Sequence, residues 1–283
     1  MIERLAILGV GLLGGSLAKA VRAHGLAREI VGIGRDLARL APAVRDGALD
    51  RATTGVADGV AGAERIVLAA PVLTNEALLA SVWRAAGTGA VVTDVGSTKR
   101  GIVAAAGRLA AERPGVHFVG SHPMAGSEKS GYAVARADLF QNATVVVTPS
   151  ELNDPAAVKS IGELWAALGG RVVTLDPETH DRAVAAISHL PHVVAWALVD
   201  AVARFEPDAF AVAARGFKDT TRIAASDPDV WREILLGNRD AVVASLAAFR
   251  VALDELERLV ARDDGAALTA LLARLKAARE KLS

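Results

Sequence analysis

The sequence of 283 residues contains no cysteine, which excludes disulfide bonds, thiolate nucleophiles and cysteine ligands for zinc. Aromatic residues make up only 4% of the chain, and its 32 basic and 32 acidic residues leave no net charge. A chain of balanced charge has no electrostatic footprint for nucleic acid or an anionic membrane. No leader-like segment opens the chain, and no uninterrupted apolar run reaches membrane length. These absences predict a soluble cytoplasmic protein with no metal site and neither a nucleic-acid nor a membrane partner.

The composition is otherwise that of a globular protein, with 52% apolar and 23% charged residues, and the length suits one large or two medium domains. Up to residue 176, short β-branched runs alternate with alanine-rich segments of helical period. Strands are predicted at residues 4–8, 30–33, 65–69, 90–93, 116–119, 144–147 and 172–175. This alternation predicts an α/β fold in which helices cover both faces of a parallel sheet.

The character of the chain changes after Asp176, where we place a domain boundary between residues 1–176 and 177–283. No convincing strand follows, and long amphipathic patterns predict an all-α domain. These patterns cover residues 181–205, 229–262 and 265–281. The segment 192–202 is apolar over more than one face. Either a single chain buries this helix centrally or a second copy covers it, and we favour a homodimer built on these helices.

A glycine motif follows the first predicted strand directly, with Gly9, Gly11 and Gly14 in the order GxGxxG at the start of a helix. The glycines permit a tight turn, close approach of the backbone to a pyrophosphate, and close packing of helix on strand. The unpaired N–H groups and positive dipole of the helix start favour the phosphates. Strand, glycines, helix and second strand occur in the expected order. The motif, with Leu12 and Leu13, therefore predicts a dinucleotide site in a Rossmann-type doubly wound sheet.

The ribose end of this motif is unusual, because Gly34 stands where NAD-binding proteins tend to carry an acid. Arg35 follows and suits a 2′-phosphate, which modestly favours NADP. Alternatively, Arg35 is a solvated loop residue and Asp36, one position late, serves NAD. The predicted cofactor is NAD or NADP, with NADP favoured by Arg35.

Two polar segments lie near predicted strand ends. The first, TDVGSTK at 93–99, contains Ser97, which is either a helix N-cap or a hydrogen-bonding group beside the nicotinamide. The second, GSHPMAGSEKSG at 120–131, places His122 just after a predicted strand, on a loop of small residues that a substrate could approach closely. A histidine there is a candidate general base.

A third polar group lies in the helical part, in ISHLPH at 187–192 and GFKDTTR at 216–222. The charges of the second segment form either a structural ion-pair network or a substrate site in which the planar fork of an arginine binds a carboxylate. His180, beside Asp181, is interpreted as part of a structural pair at a helix start.

Together, five segments resemble the prephenate/arogenate dehydrogenase family of tyrosine biosynthesis, in unbroken order from Ile2 to about Arg258. They are GVGLLGGSLA, TDVGSTK, GSHPMAGSEKSG, ISHLPH and GFKDTTRIAASDPDVW. The resemblance implies a nucleotide-binding domain followed by a helical dimerisation domain. It also implies an oxidative decarboxylation, in which a ring carbinol of prephenate loses hydride to NAD(P) while carbon dioxide departs. Arogenate, with an ammonium in place of the keto group, is the alternative substrate.

By the family pattern, His122 accepts the proton of the substrate hydroxyl, and Ser97 bonds that hydroxyl and orients His122. Arg222 would bind a substrate carboxylate, with His189 near the side-chain end of the substrate. Further positions match residues that gate or line the site: Glu128, Lys218, Asp219 and Trp231, the last contributed by the partner subunit. Because the base must be neutral, the rate is expected to fall as the pH drops through the pKa of His122, between neutral and mildly acidic pH.

Two alternatives stay open on sequence alone. A dehydrogenase of similar build that acts on small hydroxy acids or imines would use a lysine of the helical domain as proton donor, and Lys218 is the candidate. A nucleotide-sensing module without catalysis would leave the polar groups at the strand ends without a role.

Overall fold

The structure is a computed structural model that describes residues 1–127 and 129–282, in two compact units that meet in sequence between Asn238 and Arg239. The first unit contains an eight-stranded sheet in the order β3-β2-β1-β4-β5-β6-β7-β8. Its strands are β1 (Ile2–Leu8), β2 (Ala27–Ile33), β3 (Arg51–Thr53), β4 (Arg65–Leu68), β5 (Val91–Asp94), β6 (His117–Pro123), β7 (Thr144–Thr148) and β8 (Arg171–Thr174). The domain boundary predicted near residue 176 follows β8, at the point where the last strand ends and the helices begin. The division into domains at this residue stays a prediction.

Helices connect these strands and cover both faces of the sheet, which confirms the predicted fold class. In the sheet region they are α1 (Leu12–Ala23), α2 (Leu37–Arg45), α3 (Val56–Val60), α4 (Val72–Ala85), α5 (Arg100–Glu112) and α6 (Pro155–Ala167). Residues of β1 alternate between the two hydrophobic clusters. Leu5 and Ile7 join the cluster that contains Trp165, whereas Ala6 and Leu8 join the one that contains Trp83. This alternation buries β1 on both faces, as expected of a central strand in a doubly wound sheet.

The sheet departs from the prediction in two strands. β3 was missed, because its three residues contain no apolar run that would mark a strand. β7 runs antiparallel to β6 and parallel to β8, so the sheet is not parallel throughout as predicted. An antiparallel pair can be joined without a crossover helix. In the long connection that follows β6, the described residues contain one short helical element, the 3₁₀ turn Tyr132–Val134.

The end of β6 also corrects the expected position of His122. The strand continues four residues beyond the predicted end at Val119, and His122 lies within it, opposite Val146 of β7. The sequence predicted that His122 lies on a loop after the strand. The ladder with β7 extends β6, because β-branched residues of β7 provide a partner for the GSHP segment. The backbone of His122 is therefore held by a sheet and not by a loop.

Beyond β8 the described residues are helical. The elements are α7 (Pro177–Val184), a π-helical turn (Ala185–His189), α8 (Leu190–Phe205), a 3₁₀ turn (Pro207–Val212), α9 (Arg215–Thr221), a 3₁₀ turn (Arg222–Ala225) and α10 (Pro228–Gly237). The helical stretch Pro177–Phe205 is apolar and long enough to cross a membrane by length and composition, and 22% of its most apolar window is buried. Charged residues such as Asp181 and Arg182 interrupt this stretch, so it is not the uninterrupted apolar run that the sequence was predicted to lack. A single stretch of this kind is weak support for a membrane span, because a helix that packs against another chain has the same composition.

The second unit consists of α11 (Arg239–Ala261) and α12 (Gly265–Glu280), which pack against each other. Asp264 caps α12 by accepting a hydrogen bond from the backbone N–H of Ala267. Large apolar side chains stay exposed along both helices, at Val243, Val251, Leu253, Val260, Leu272 and Leu275. Exposed apolar surface of this kind is typical of an interface with another chain.

Candidate active site

A cavity of about 270 Å³ opens beside the segments that follow β1, β4 and β5. These are the carboxyl ends of parallel strands, at the point where the strand order reverses between β1 and β4, and such sheets bind ligands there. The cavity is lined by residues 11–13, 69–72, 95–97 and 129–131, and by Ser127, Ser226, Asp227, Val230, Trp231 and Ile234. The glycine turn, Ser97 and Trp231 therefore face one space.

The glycine turn is built as its sequence predicts. Gly9 has φ +93°, and a Cβ there would lie 2.7 Å from the carbonyl carbon of Ala69. A Cβ on Gly14 would overlap the carbonyl oxygen of Gly9, so both positions need glycine for the turn to pack. Gly11 differs, since a Cβ there would meet nothing within 4 Å, and no side chain caps the start of α1. The free N–H groups at this helix start border the cavity, and this arrangement fits the pyrophosphate of a dinucleotide.

At the ribose end, Asp36 and Arg35 have different environments. The carboxylate of Asp36 caps α2 by accepting a hydrogen bond of 2.8 Å from the backbone N–H of Ala38. Arg35 is exposed, one residue before this cap. A carboxylate engaged as a helix cap is less free to accept from ribose hydroxyls, whereas the guanidinium of Arg35 is accessible to a ligand.

Buried charged residues anchor the segment that carries Ser97. Asp94, at the end of β5, accepts a hydrogen bond of 2.9 Å from the backbone N–H of Gly96. The ammonium of Lys99 bonds the Asp94 carboxylate and the carbonyl oxygen of Ser121, and both charged side chains are buried. This network links the Ser97 segment to β6, one residue before His122.

Ser97 is not the helix N-cap that one interpretation of the sequence expected. α5 begins at Arg100, and its capping position, Lys99, has no side-chain cap of its own. The cap comes from α7, where the Asp181 carboxylate accepts from the backbone N–H of Lys99 at 2.8 Å and of Arg100 at 3.0 Å. The hydroxyl of Ser97 is thus not engaged at the helix start, and Ser97 lines the cavity.

His122 belongs to a chain of three buried side chains. Its Nδ1 lies 2.9 Å from Nε2 of His180, and Nδ1 of His180 lies 2.8 Å from Oδ1 of Asp181. Burial lowers the pKa of His122 well below its ordinary value, and the positive charge of the neighbouring Lys99 lowers it further. His122 is therefore neutral at neutral pH.

The Asp181 carboxylate at the end of this chain is held in its ionised form. Burial by itself would raise its pKa, but the hydrogen bonds from His180 and from the backbone of Arg100 and Lys99 outweigh it, and the pKa is lowered. An ionised Asp181 accepts hydrogen bonds only.

Access to His122 is narrow. The side chain is 8% exposed and is not among the described residues that line the cavity. Its Nδ1 is occupied by His180, and among the described residues no partner binds its Nε2. Glu128, predicted to line the site, lies outside the described residues, so its place relative to His122 stays a prediction.

An aromatic group closes the side of the cavity formed by the helical segments. Trp231 of α10 stacks on His192 with ring centroids 3.6 Å apart, and Trp196 and His189 approach Trp231 edge-on at 5.5 and 6.0 Å. His189 is buried, and burial lowers its pKa to about 4, so its ring is neutral. Nδ1 of His189 faces the side-chain amide of Asn238, and Nε2 is buried without a partner in the described part of the chain.

The charged segment is only partly brought to the site. Arg222 lies on the 3₁₀ turn Arg222–Ala225, which Trp196 holds through a 2.9 Å hydrogen bond from its indole N–H to the Ala224 carbonyl. Burial lowers the pKa of His192, and the positive charge of Arg222 lowers it further, which places the guanidinium near the aromatic group. Lys218 and Asp219 are exposed on α9 and do not line the cavity, and Asp219 pairs with Arg215 at 3.2 Å.

Sequence reasoning assigned no role in the site to three side chains: His180, His192 and Trp196. The last two could have been found, because positions 189, 192 and 196 share one face of a helix and Trp231 is a large aromatic in the next motif. The interpretation of His180 and Asp181 as a structural pair accounts for the bond between them but not for the bond to His122. That contact joins residues 58 apart in sequence.

Comparison with known proteins identifies a family that the chain resembles. A family model described as "Prephenate dehydrogenase, nucleotide-binding domain" matches residues 17–174. A second, described as "Prephenate dehydrogenase, dimerization domain", matches residues 176–274. A curated prephenate dehydrogenase from Bacillus subtilis is 35% identical over 271 residues, which cover 93% of this chain and 72% of that protein.

Solved structures agree over the whole chain. A prephenate dehydrogenase from Aquifex aeolicus, in complex with hydroxyphenyl propionate and NAD+, superposes with a TM-score of 0.93 at 34% identity and covers 100% of this chain and 99% of its own. An arogenate dehydrogenase from Synechocystis superposes with a TM-score of 0.85 at 31% identity and covers 99% of this chain and 100% of its own.

Proposed function

The chain belongs to the prephenate dehydrogenase family, and we propose that it oxidatively decarboxylates prephenate to 4-hydroxyphenylpyruvate with NAD(P). One observation supports the proposal most directly. A buried, neutral His122 is fixed on β6, and the Lys99 ammonium connects β6 to the segment that carries Ser97. Ser97 and the glycine turn line the same cavity. A base, a hydroxyl and a dinucleotide site thus occur together at the carboxyl edge of the sheet.

The chain's own residues bind the substrate, orient it and take one proton. His122 accepts the proton of the ring hydroxyl at Nε2, because its Nδ1 is held by His180. Ser97 donates to or accepts from the same hydroxyl. The bound nicotinamide supplies the hydride acceptor. Loss of carbon dioxide makes the ring aromatic, so the protein has to position the reactants and hold a neutral base.

The substrate carboxylate and side chain are proposed to meet the helical wall. Arg222 suits a carboxylate, because its planar fork matches both oxygens. The Nδ1 of His189 accepts from the Asn238 amide, so its neutral ring carries the proton on Nε2, and that N–H is a buried donor free for a substrate oxygen. The proposal that Trp231 enters a partner's site and the proposed roles of Glu128, Lys218 and Asp219 rest on the family pattern.

The pKa of His122 changes the pH dependence expected from the sequence. A histidine of ordinary pKa would lose activity between neutral and mildly acidic pH. Because burial and the neighbouring Lys99 lower the pKa of His122, we expect the rate to stay level over that interval and to fall only at lower pH.

For the cofactor, we propose a preference for NADP over NAD. Arg35 is exposed and available to a 2′-phosphate, whereas the Asp36 carboxylate is engaged in capping α2. Measured Michaelis constants for the two cofactors test this. A lower constant for NAD that is unchanged in Arg35→Ala would overturn it.

We also propose that the protein acts as a homodimer in the cytoplasm. The dimerization-domain match over residues 176–274 and the exposed apolar residues of α11 and α12 support the dimer. Sedimentation of the purified chain measures the mass directly, and a monomer at micromolar concentration would contradict it.

The function itself is tested by following reduced cofactor with prephenate and, in parallel, with arogenate. We expect turnover of prephenate, and His122→Asn should lower kcat by about 10²–10⁴ while both ligands still bind. Near-normal turnover by His122→Asn would remove His122 from the mechanism. Turnover of arogenate alone would assign the substrate of the Synechocystis relative instead.

A further inference from the structure

The buried chain from Asp181 through His180 to His122 points to a function for the first two residues. We propose that Asp181 and His180 are positioning residues that fix His122 as the tautomer protonated on Nδ1, with Nε2 free to receive the substrate proton. This inference rests on the proposed function in so far as it assigns His122 as the base.

The direction of each hydrogen bond follows from the acceptor at the end. Asp181 is ionised and only accepts, so Nδ1 of His180 carries a proton and donates to it across 2.8 Å. In the tautomer that we assign to His180, Nε2 then has a lone pair. That atom lies 2.9 Å from Nδ1 of His122, which must be the donor. A neutral His122 that carries its proton on Nδ1 has a bare Nε2, as a general base requires.

His180 and Asp181 also stabilise the charged state of the base. When His122 takes the hydroxyl proton on Nε2, its ring becomes a cation that donates from Nδ1 to His180. His180 in turn donates to the Asp181 carboxylate, which lies one ring away from the new charge. Hydrogen bonds that involve a charged group are stronger than neutral ones, so the pair favours proton transfer as well as orientation.

The Asp181 carboxylate also connects the base to the rest of the site. It accepts from the backbone N–H groups of Lys99 and Arg100, and so holds the start of α5 directly after Ser97. The backbone carbonyl of Asp181 accepts a 2.7 Å hydrogen bond from the side-chain amide of Asn238, and this amide also faces His189. One side chain therefore sets the orientation of His122 and the position of the Ser97 segment.

The tautomer can be observed without substrate. Long-range ¹H–¹⁵N spectra of the wild-type protein at neutral pH should show a protonated Nδ1 and an unprotonated Nε2 for His122, and the same tautomer for His180. Assignment comes from His122→Asn and from variants of His180. A protonated Nε2 on His122, or a doubly protonated His180 that donates to it, overturns the proposal.

Kinetics of two His180 variants separate positioning from packing. His180→Phe keeps a planar ring of similar size but offers no acceptor, and we expect kcat to fall by about 10²–10³ with little change in either Michaelis constant. His180→Gln offers an amide oxygen to Nδ1 of His122, and we expect it to recover about tenfold in kcat over the phenylalanine variant. If the site needs His180 only for packing, phenylalanine should be tolerated at least as well as glutamine, and that result refutes the proposal.

The pH profile supplies a readout that a packing defect would not move. Loss of the Nδ1 acceptor destabilises the cationic form of His122, so the acid limb of kcat should move to lower pH by about one unit in His180→Phe. His117→Gln, on the same strand but in neither the cavity nor the hydrogen-bonded chain, is the matched control and should leave rate and profile unchanged. If the acid limb of kcat stays at the wild-type pH in His180→Phe, the proposal is contradicted. Failure of the wild-type protein to oxidise prephenate would refute the function, whereas the spectra would still decide the tautomer.

Discussion

The glycine turn permits a sharp test, because two of its positions should fail in different ways when a single methyl group is added. In Gly14→Ala, the new Cβ would overlap the carbonyl oxygen of Gly9 and lie 3.0 Å from Cβ of Ala69. In Gly11→Ala, the new Cβ would meet nothing within 4 Å. The first change should damage folding, and the second should damage cofactor binding.

The magnitudes follow from these contacts. The severe end of overpacking costs about 3 kcal/mol, and alanine returns roughly 1 kcal/mol of helix propensity at Gly14, so the net loss is about 2 kcal/mol. For a unit of this size, such a loss lowers Tm by roughly 4–8 °C. Gly11→Ala replaces a capping glycine and costs about 0.5 kcal/mol, or a Tm change of about 2 °C or less. Its methyl group occupies the space that a pyrophosphate needs, and loss of one charged hydrogen bond raises the cofactor Michaelis constant about 10- to 150-fold.

Thermal melts of the free protein, with Michaelis constants for the cofactor at saturating substrate, measure both effects. Gly87→Ala is the matched control, because a Cβ there meets nothing within 4 Å and the residue lies outside the cavity. A wild-type cofactor constant in Gly11→Ala would mean that the pyrophosphate does not approach this turn. A wild-type melting temperature in Gly14→Ala would refute the packing argument.

Two further predictions concern the helical wall. Arg222→Ala should raise the Michaelis constant for prephenate about 10- to 150-fold and leave that for the cofactor unchanged, and movement of the cofactor constant alone would show that Arg222 is misassigned. Burial lowers the pKa of His189 to about 4 in the folded chain. His189 is therefore protonated near pH 6.5 in the unfolded chain but only near pH 4 in the folded chain. His189 should therefore contribute a fall of roughly 3 kcal/mol in the unfolding free energy as the pH drops through that window, and the total fall should be smaller by that amount in His189→Asn. Denaturant titrations across the window check it against the exposed control His24→Asn, and a fall as large in His189→Asn as in the wild-type protein would contradict the assignment.

The sequence by itself determined the features that depend on neighbouring residues. Strands such as 65–68 are apolar enough to be buried on both faces, and the spacing of Gly9, Gly11 and Gly14 allows one kind of turn, so the doubly wound sheet and the dinucleotide site were predictable. The family pattern likewise placed Ser97, which lines the cavity.

Only the tertiary structure decided which distant side chains meet. His122 was expected on a loop, but pairing with β7 draws it into a strand, because backbone groups of one segment find partners that the local sequence does not reveal. His180 and Asp181 give no local sign that they face His122 and the start of α5, since those contacts span 58 and 82 residues. The protonation of the base depends on how deeply the fold buries it and on what donates to it there, and these properties arise when the elements pack.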